Sequence, residues 1–220
     1  MRRKMQRYAE NAACNIVIEP GKEQFESLKG CWQQDFFKNT NPITLEVACG
    51  RGEYSIGLAK EDANANFIGI DIKGERIWKG STIAKEASLD NIGFLRANIL
   101  ELESHFASQE VDDLWIVFPD PMPKDRHEKR RLTHPRFIEL YKTVLKHDGW
   151  CRLKTDSTEL YEYTHEVITA RSDIKDLIFT DDLYNSDLLG EHKGIKTRYE
   201  KKFREKGENI KYLKFRFIHK

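Results

Sequence analysis

The sequence predicts an α/β protein built on a doubly wound, mostly parallel sheet, and three observations carry that prediction. Short apolar runs alternate with longer amphipathic stretches along most of the chain. The runs are rich in Ile, Val, Leu and Phe and lack a polar alternation, as strands buried on both faces do. Each run is parted from the next by a stretch of helical length, the spacing of βαβ units.

Taken in order, the runs span residues 43–49, 66–71, 93–97, 114–118 and 150–155. Between them, residues 54–60, 74–87, 100–108 and 135–146 have the length and polarity of helices. Thr133 stands where a cap for the last of these belongs, and Pro135 fits a first helical turn. Further on, residues 177–179 and 212–218 read as strands flanking a charged helix near 197–206. Those two strands are expected to close the sheet with an antiparallel C-terminal edge. Residues 1–41 read as a basic, helical N-terminal extension, and residues 42–220 as the α/β domain.

The chain has 220 residues, with 37 Lys plus Arg against 36 Asp plus Glu. At about 100–200 residues per domain, that length suits one large domain or one domain with appendages. Apolar residues make up 39%, enough for a sizeable core, and charged residues 33%. The usual charged share is about 25%, so the surface is unusually ionic. A disordered chain and a collagen-like repeat are excluded. No apolar stretch approaches the roughly 20 residues of a bilayer span. Cys14, Cys31, Cys49 and Cys151 show no CxxC spacing, and the seven histidines show no ligand spacing, so no metal is expected. Met1 to Lys4 is basic but is not followed by the apolar core of a secretory signal, which points to a cytoplasmic protein.

The net charge of +1 hides a segregation. Residues 1–7 carry +4, residues 124–136 carry +4 and residues 193–220 carry +8, which leaves −15 on the remainder. An acidic body with three basic segments is compatible with a nucleic-acid partner in a way the sum alone is not.

The first run ends Leu45-Glu46-Val47-Ala48-Cys49-Gly50-Arg51-Gly52. Glycines after a strand let the backbone turn tightly and approach a ligand at the carboxyl edge of a sheet. The second run ends in Asp71, where a carboxylate can hold the ribose hydroxyls of an adenosine ligand. The third glycine of the dinucleotide GxGxxG pattern is missing, which counts against an NAD-dependent oxidoreductase. Glu46 suits a cation better than a phosphate. These features resemble the first motif of class I S-adenosylmethionine-dependent methyltransferases. The resemblance implies that the stretch from Glu46 to Gly52, with Glu46, Gly50 and Gly52 as its site residues, lines the methionine and sulfonium end and that Asp71 holds the ribose. Asn98, after the third run, would face the adenine or serve as a helix N-cap.

The fourth run delivers Asp120 to the same edge, followed by Pro121-Met122-Pro123-Lys124-Asp125-Arg126-His127-Glu128-Lys129-Arg130-Arg131-Leu132. Prolines at 119, 121 and 123 stiffen this exit, and a basic loop beside it suits phosphates while a base enters the pocket. The stretch resembles the signature of the bacterial tRNA (guanine-N7)-methyltransferases, with Met122 in place of the usual Trp. Lys154-Thr155-Asp156-Ser157 and Thr197-Arg198-Tyr199-Glu200 resemble two further motifs of that family, and the similarity spans residues 43–217.

That resemblance implies a seven-stranded Rossmann-like methyltransferase sheet and methyl transfer from S-adenosylmethionine to N7 of a guanine in the tRNA variable loop. It implies a catalytic Asp120 at the junction of cofactor and guanine. Lys124, Asp156, Thr197, Arg198, Tyr199 and Glu200 would bind substrate, and Arg126, His127, Lys129, Arg130 and Arg131 the RNA. Helix capping by Asp156 and Ser157 and core packing by Tyr199 are the plainer readings of those positions. The partners implied are tRNA and no membrane or metal, for a monomer or homodimer. Two rival classes remain: a methyltransferase acting on an exocyclic amine of a nucleic acid, whose (D/N)PP(Y/F) tetrapeptide residues 120–123 superficially resemble, and a non-catalytic RNA-binding protein.

Overall fold

A computed structural model describes residues 2–219. Eight strands form one sheet: β1 Val17–Ile18, β2 Ile43–Val47, β3 Asn66–Ile70, β4 Ile92–Leu95, β5 Val111–Val117, β6 Leu145–Thr155, β7 Ile174–Thr180 and β8 Lys211–Phe217. Their order across the sheet is β1-β4-β3-β2-β5-β6-β8-β7. The helices are α1 Arg2–Ala13, α2 Gln24–Ser27, α3 Glu53–Glu61, α4 Gly74–Glu86, α5 Leu102–His105, α6 Pro135–Val144, α7 Thr158–Thr169 and α8 Arg198–Glu205.

Strands β1 to β6 all run parallel to one another, and β8 runs antiparallel to both β6 and β7. The expected mostly parallel sheet with antiparallel closing strands is therefore present. It has eight strands rather than seven. The added one is β1, which pairs Val17 with Phe94 and Ile18 with Leu95. A strand of two residues leaves no periodicity to read. The sheet's outer strand on the far side is β7, with β8 inserted inside it.

Burial on both faces explains the unbroken apolar runs. All five residues of β3 and all four of β4 are buried, and the core divides into one apolar cluster on each side of the sheet. Phe94 is fully buried, worth roughly 2–3 kcal/mol. Its ring also dictates two small residues nearby: a Cβ at Gly52 would stand 2.5 Å from it and one at Gly80 2.9 Å.

Some helix boundaries differ from the periodicity. Residues 100–108 do not form one helix but a 3₁₀ turn, Ile99–Glu101, followed by the single-turn α5. His134, not Thr133, caps α6: its Nδ1 accepts from the Arg136 N–H at 3.2 Å. Thr133 is buried instead, with its hydroxyl 2.7 Å from that of Thr164. Helix α7 follows β6 and is capped by Ser157, whose hydroxyl accepts from the Leu160 N–H.

Helix α1 packs on α4. Asn11 donates its amide to the Gly74 carbonyl at 2.9 Å, and Trp78 donates its indole N–H to Glu10 at 2.5 Å. Gly74 begins α4 just after β3, so this basic helix abuts the carboxyl edge of the sheet. Among the described residues, no helix is long and apolar enough to cross a membrane and no cluster of His, Cys, Asp and Glu could hold a metal.

Candidate active site at the carboxyl edge of the sheet

Strands β2 and β5 lie side by side at the centre of the sheet, and strand order reverses between them. Such a switch point leaves a crevice outside the carboxyl ends of the strands. A cavity of about 480 Å³ occupies it, bounded by the β2 exit, the β5 exit and the start of α8.

The β2 exit is built from backbone conformations that side chains resist. Ala48, Gly50 and Gly52 all have positive φ, at 53°, 60° and 62°. A Cβ at Gly50 would meet nothing within 4 Å, so the space over this glycine is open to a ligand. Gly52 is buried and serves Phe94 instead, which its sequence position did not reveal. Glu46 is buried at the cavity wall and accepts hydrogen bonds from both the backbone N–H and the hydroxyl of Ser55. Burial pushes its carboxyl up to about 7, against the pull of those hydrogen bonds. Cys49 also lines the cavity, and burial drives its thiol well above the ordinary range, so it stays protonated.

Asp71 stands next to this turn rather than on the cavity wall. Its carboxylate accepts from the Gly50 N–H at 3.0 Å and the Lys73 N–H at 2.7 Å, with Arg76 Nη1 3.7 Å away. The acid after the second strand thus fixes the glycine turn directly.

On the other side, Phe118 and Met122 are non-glycine residues with φ of 47° and 48°. Left-handed conformations of this kind cost roughly 1–3 kcal/mol each and persist where surrounding structure imposes them. The restraint here is visible: the Phe118 N–H donates to the Lys154 carbonyl at 2.8 Å, and Met122 N–H donates to Asp120 Oδ1 at 3.1 Å. Asp120 itself is exposed and lines the cavity.

The third wall comes from α8 and its cap. Thr197 accepts from the Glu200 N–H at 3.2 Å, and Thr197, Arg198, Tyr199 and Phe203 face the cavity. The Phe203 ring lies 6.3 Å from that of Phe118 with 20° between their planes. Asp156, after β6, completes the lining, its carboxyl raised by burial.

The structure therefore brings Glu46, Gly50, Asp120, Asp156, Thr197, Arg198 and Tyr199 around one space. Other residues singled out in the sequence lie elsewhere. Asn98 is exposed, and its side-chain oxygen caps the Ile99–Glu101 turn by accepting from Leu100 N–H, so of its two readings the cap is the one present. Lys124 is exposed, outside the cavity, at the start of the 3₁₀ segment Asp125–Arg130. Glu200 is wholly buried against Lys154, with Nζ and Oε2 2.9 Å apart, and presents nothing to the cavity. A glutamate in so charged a helix reads as solvent-facing, which is why the sequence concealed it.

In the basic loop, Arg126, Lys129 and Arg130 are exposed and His127 is half-buried. Arg131 differs from the RNA contact expected of it. It is buried, pairs with Glu159 at 3.0 Å, donates to the Met122 carbonyl at 3.3 Å and lies 4.4 Å over the Tyr163 ring. Its donors hold the β5 exit in place. Arg51, within the expected stretch 46–52, lines the cavity too, as does Arg76, which the motifs do not indicate; nor do they indicate Phe203, although its spacing of four from Tyr199 puts both on one helix face.

The basic segments meet at this edge. Arg7 of the first segment reaches Glu75 at the start of α4 at 3.5 Å, the loop follows β5, and α8 borders the cavity. Only the β8 part of the last basic segment runs away from it, after Lys211 has donated to the Asp156 carbonyl at 2.8 Å.

Known proteins resemble this chain in sequence and in fold. A family model described as "Putative methyltransferase" matches residues 40–213. The tRNA (guanine-N(7)-)-methyltransferase of Cytophaga hutchinsonii is 44% identical over 218 residues, covering 99% of this chain and 98% of that protein. The protein of the same name from Christiangramia forsetii is 42% identical, covering 97% of each. Among solved structures, the 16S rRNA methyltransferase KamB superposes with a TM-score of 0.62 at 15% identity, covering 85% of this chain and 92% of that one. That likeness is one of fold.

Proposed function

The chain belongs to the tRNA (guanine-N(7)-)-methyltransferase family, and from that premise we propose how its cavity serves the reaction. The enzyme transfers a methyl group to N7 of a guanine in tRNA. The methyl donor is S-adenosylmethionine, the target lies in the variable loop, and the reaction takes place in the cytoplasm. The observation that carries this reading is the cavity itself, where the β2 turn, Asp120 and the Thr197–Tyr199 segment face one space.

The residues present fit a cationic adenosine cofactor. A buried carboxylate, Glu46, borders the cavity beside a glycine whose missing Cβ leaves open room. Glu46 and Gly50 would hold the methionine end, and Asp71 the ribose once it shares its bonds with the turn. When bound, the cofactor supplies an activated methyl group on a sulfonium.

Guanine N7 exposes a lone pair and carries no proton, so no base is required to unmask it. The protein's work is placement of the purine in line with the methyl group and compensation of the positive charge the ring acquires. Asp120 is assigned that catalytic position, orienting the base through its N1–H and 2-amino edge. Asp156, Thr197, Arg198 and Tyr199 line the guanosine side, and Lys124, exposed outside the cavity, would reach the substrate from the adjoining loop. Arg126, His127, Lys129 and Arg130 grip the RNA backbone.

Incubation with labelled S-adenosylmethionine and unmodified tRNA, followed by nucleoside mapping, tests the reading. N7-methylguanosine is expected, and an N-methylated adenine or cytosine would overturn it. Asp120→Ala should lower kcat by about 10²–10³ with the fold intact and a melting temperature lower by no more than about 2–4 °C, because its exposed carboxylate bonds the nearby Met122 N–H. Near-normal turnover would remove Asp120 from the chemistry.

A further inference from the structure

One buried ion pair has no part in the reaction as derived so far. Lys154, the penultimate residue of β6, and Glu200, in the first turn of α8, are both 0% exposed, with Nζ and Oε2 2.9 Å apart. The Lys154 ammonium also donates to the Ile195 carbonyl at 3.3 Å and lies 5.2 Å from the centroid of the Tyr54 ring. Tyr184 donates to the other oxygen of Glu200 at 2.7 Å. Taking two charges out of water returns little net stability, because desolvation offsets most of their attraction. Folding alone is thus a poor account of the pair.

Its position offers a better one. The main-chain carbonyl of Lys154 accepts from Phe118 N–H, fixing the strained exit that leads to Asp120. Its side chain fixes Glu200, whose own N–H donates to the Thr197 hydroxyl that caps the helix presenting Tyr199 and Phe203 to the cavity. A single residue therefore touches both walls between which the guanine would sit.

We propose that Lys154 and Glu200 are positioning residues that set the distance between the Asp120 wall and the α8 wall, so that Glu200 acts on the substrate through α8 and not by touching the base. The proposal rests on the reading of this cavity as the methyl-transfer site. Removing one partner leaves a buried charge uncompensated and shifts α8; removing both leaves none.

The test compares Lys154→Met, Glu200→Gln and the double variant K154M/E200Q with the wild type. Each single change should lower kcat by about a hundredfold, as a misplacement near 1 Å does, with KM for tRNA and affinity for S-adenosylmethionine nearly unchanged. The double variant should recover most of the lost turnover. A double variant as inactive as E200Q means that Glu200 contacts the base, and a K154M enzyme with wild-type kcat means that the pair positions nothing; either overturns the proposal. If the single variants fail to fold, as melting curves will show, the double variant decides by the same criterion. Hydrogen exchange in the protein without RNA or cofactor gives an independent readout. Amides of residues 197–203 should exchange faster in K154M than in the wild type, and unchanged protection overturns the proposal whatever the substrate. A wild-type enzyme that modifies some other nucleoside defeats the guanine-N7 reading alone.

Discussion

Glu53 joins the two helices that begin at the cavity: its Oε2 accepts from the backbone N–H of Arg198 at 2.7 Å, and its Oε1 lies 3.4 Å from Arg198 Nε. A carboxylate at the start of α3 thus serves the first turn of α8, 145 residues away in sequence. Glu53→Ala should cost about 1 kcal/mol, the usual value of a lost helix cap. For a protein of this size that is a fall in melting temperature of roughly 2–4 °C. Glu53→Gln keeps the acceptor and should melt close to the wild type, and differential scanning calorimetry separates the two.

The two glycines of the turn make opposite predictions. Gly50→Ala adds a methyl group to open space, so its stability cost is that of the left-handed backbone, about 1–2 kcal/mol. Affinity for S-adenosylmethionine should fall sharply, because the added methyl group enters the room a ligand needs. Gly52→Ala meets the same backbone cost and drives its Cβ to 2.5 Å from Phe94. It should be less stable than Gly50→Ala by about 1–3 kcal/mol and melt lower accordingly. Calorimetric titration beside thermal melts would reveal the split, and similar behaviour of the two variants would count against it.

Within the basic loop, exposure separates contact from support. Replacing Arg126, Lys129 and Arg130 together with Gln should weaken tRNA binding and make its log–log salt dependence shallower by about 2–3, with melting unchanged. Arg131→Ala should do the reverse. It removes a buried guanidinium from Glu159 and the Met122 carbonyl, costing about 1–2 kcal/mol once the exposure of Glu159 is allowed for. Filter binding across a salt series, paired with melts, distinguishes the two roles.

Glu46 predicts a pH dependence. Its carboxyl is raised in the folded protein to about 7, so the native state holds a proton that the unfolded chain releases earlier. The stability this contributes is fully present below the unfolded pKa of about 4.3 and is lost as pH rises through about 7. Glu46→Gln should abolish that slope in melts taken across this window. A cationic ligand favours the ionised form, so affinity for S-adenosylmethionine should rise with pH through the same range in the wild type and stay flat in E46Q. Titrations in buffers of different ionisation enthalpy should register the proton released.

The core of the fold was legible because parallel strands buried on both faces must be apolar throughout, as residues 66–70 are. What escaped notice was set by contacts distant in sequence. Val17 and Ile18 become a strand only because Phe94 and Leu95 lie beside them. Thr133 looks as good a cap as His134 until Thr164 is found against its hydroxyl. Around the cavity, Glu46 and Asp120 are legible from their places at the carboxyl ends of apolar runs, and Asp156 from the motif that holds it. Glu200 and Arg131 were not, since a long charged side chain gives no local sign of whether it faces water or a buried partner.

The place of β8 between β6 and β7 ties assembly of the site to the order of synthesis. β8 is the last of the eight strands in chain order, yet it pairs along both of its edges. Until it emerges, β6 and β7 each present an open edge, a hazard for association between incomplete chains. Lys211, which holds the Asp156 carbonyl, arrives with that strand, and α8 emerges only just before it. A chain still attached to the ribosome and lacking β8 therefore carries every residue that lines the cavity but not the strand that anchors Asp156 and covers the edges of β6 and β7, so the sheet behind the site is completed last.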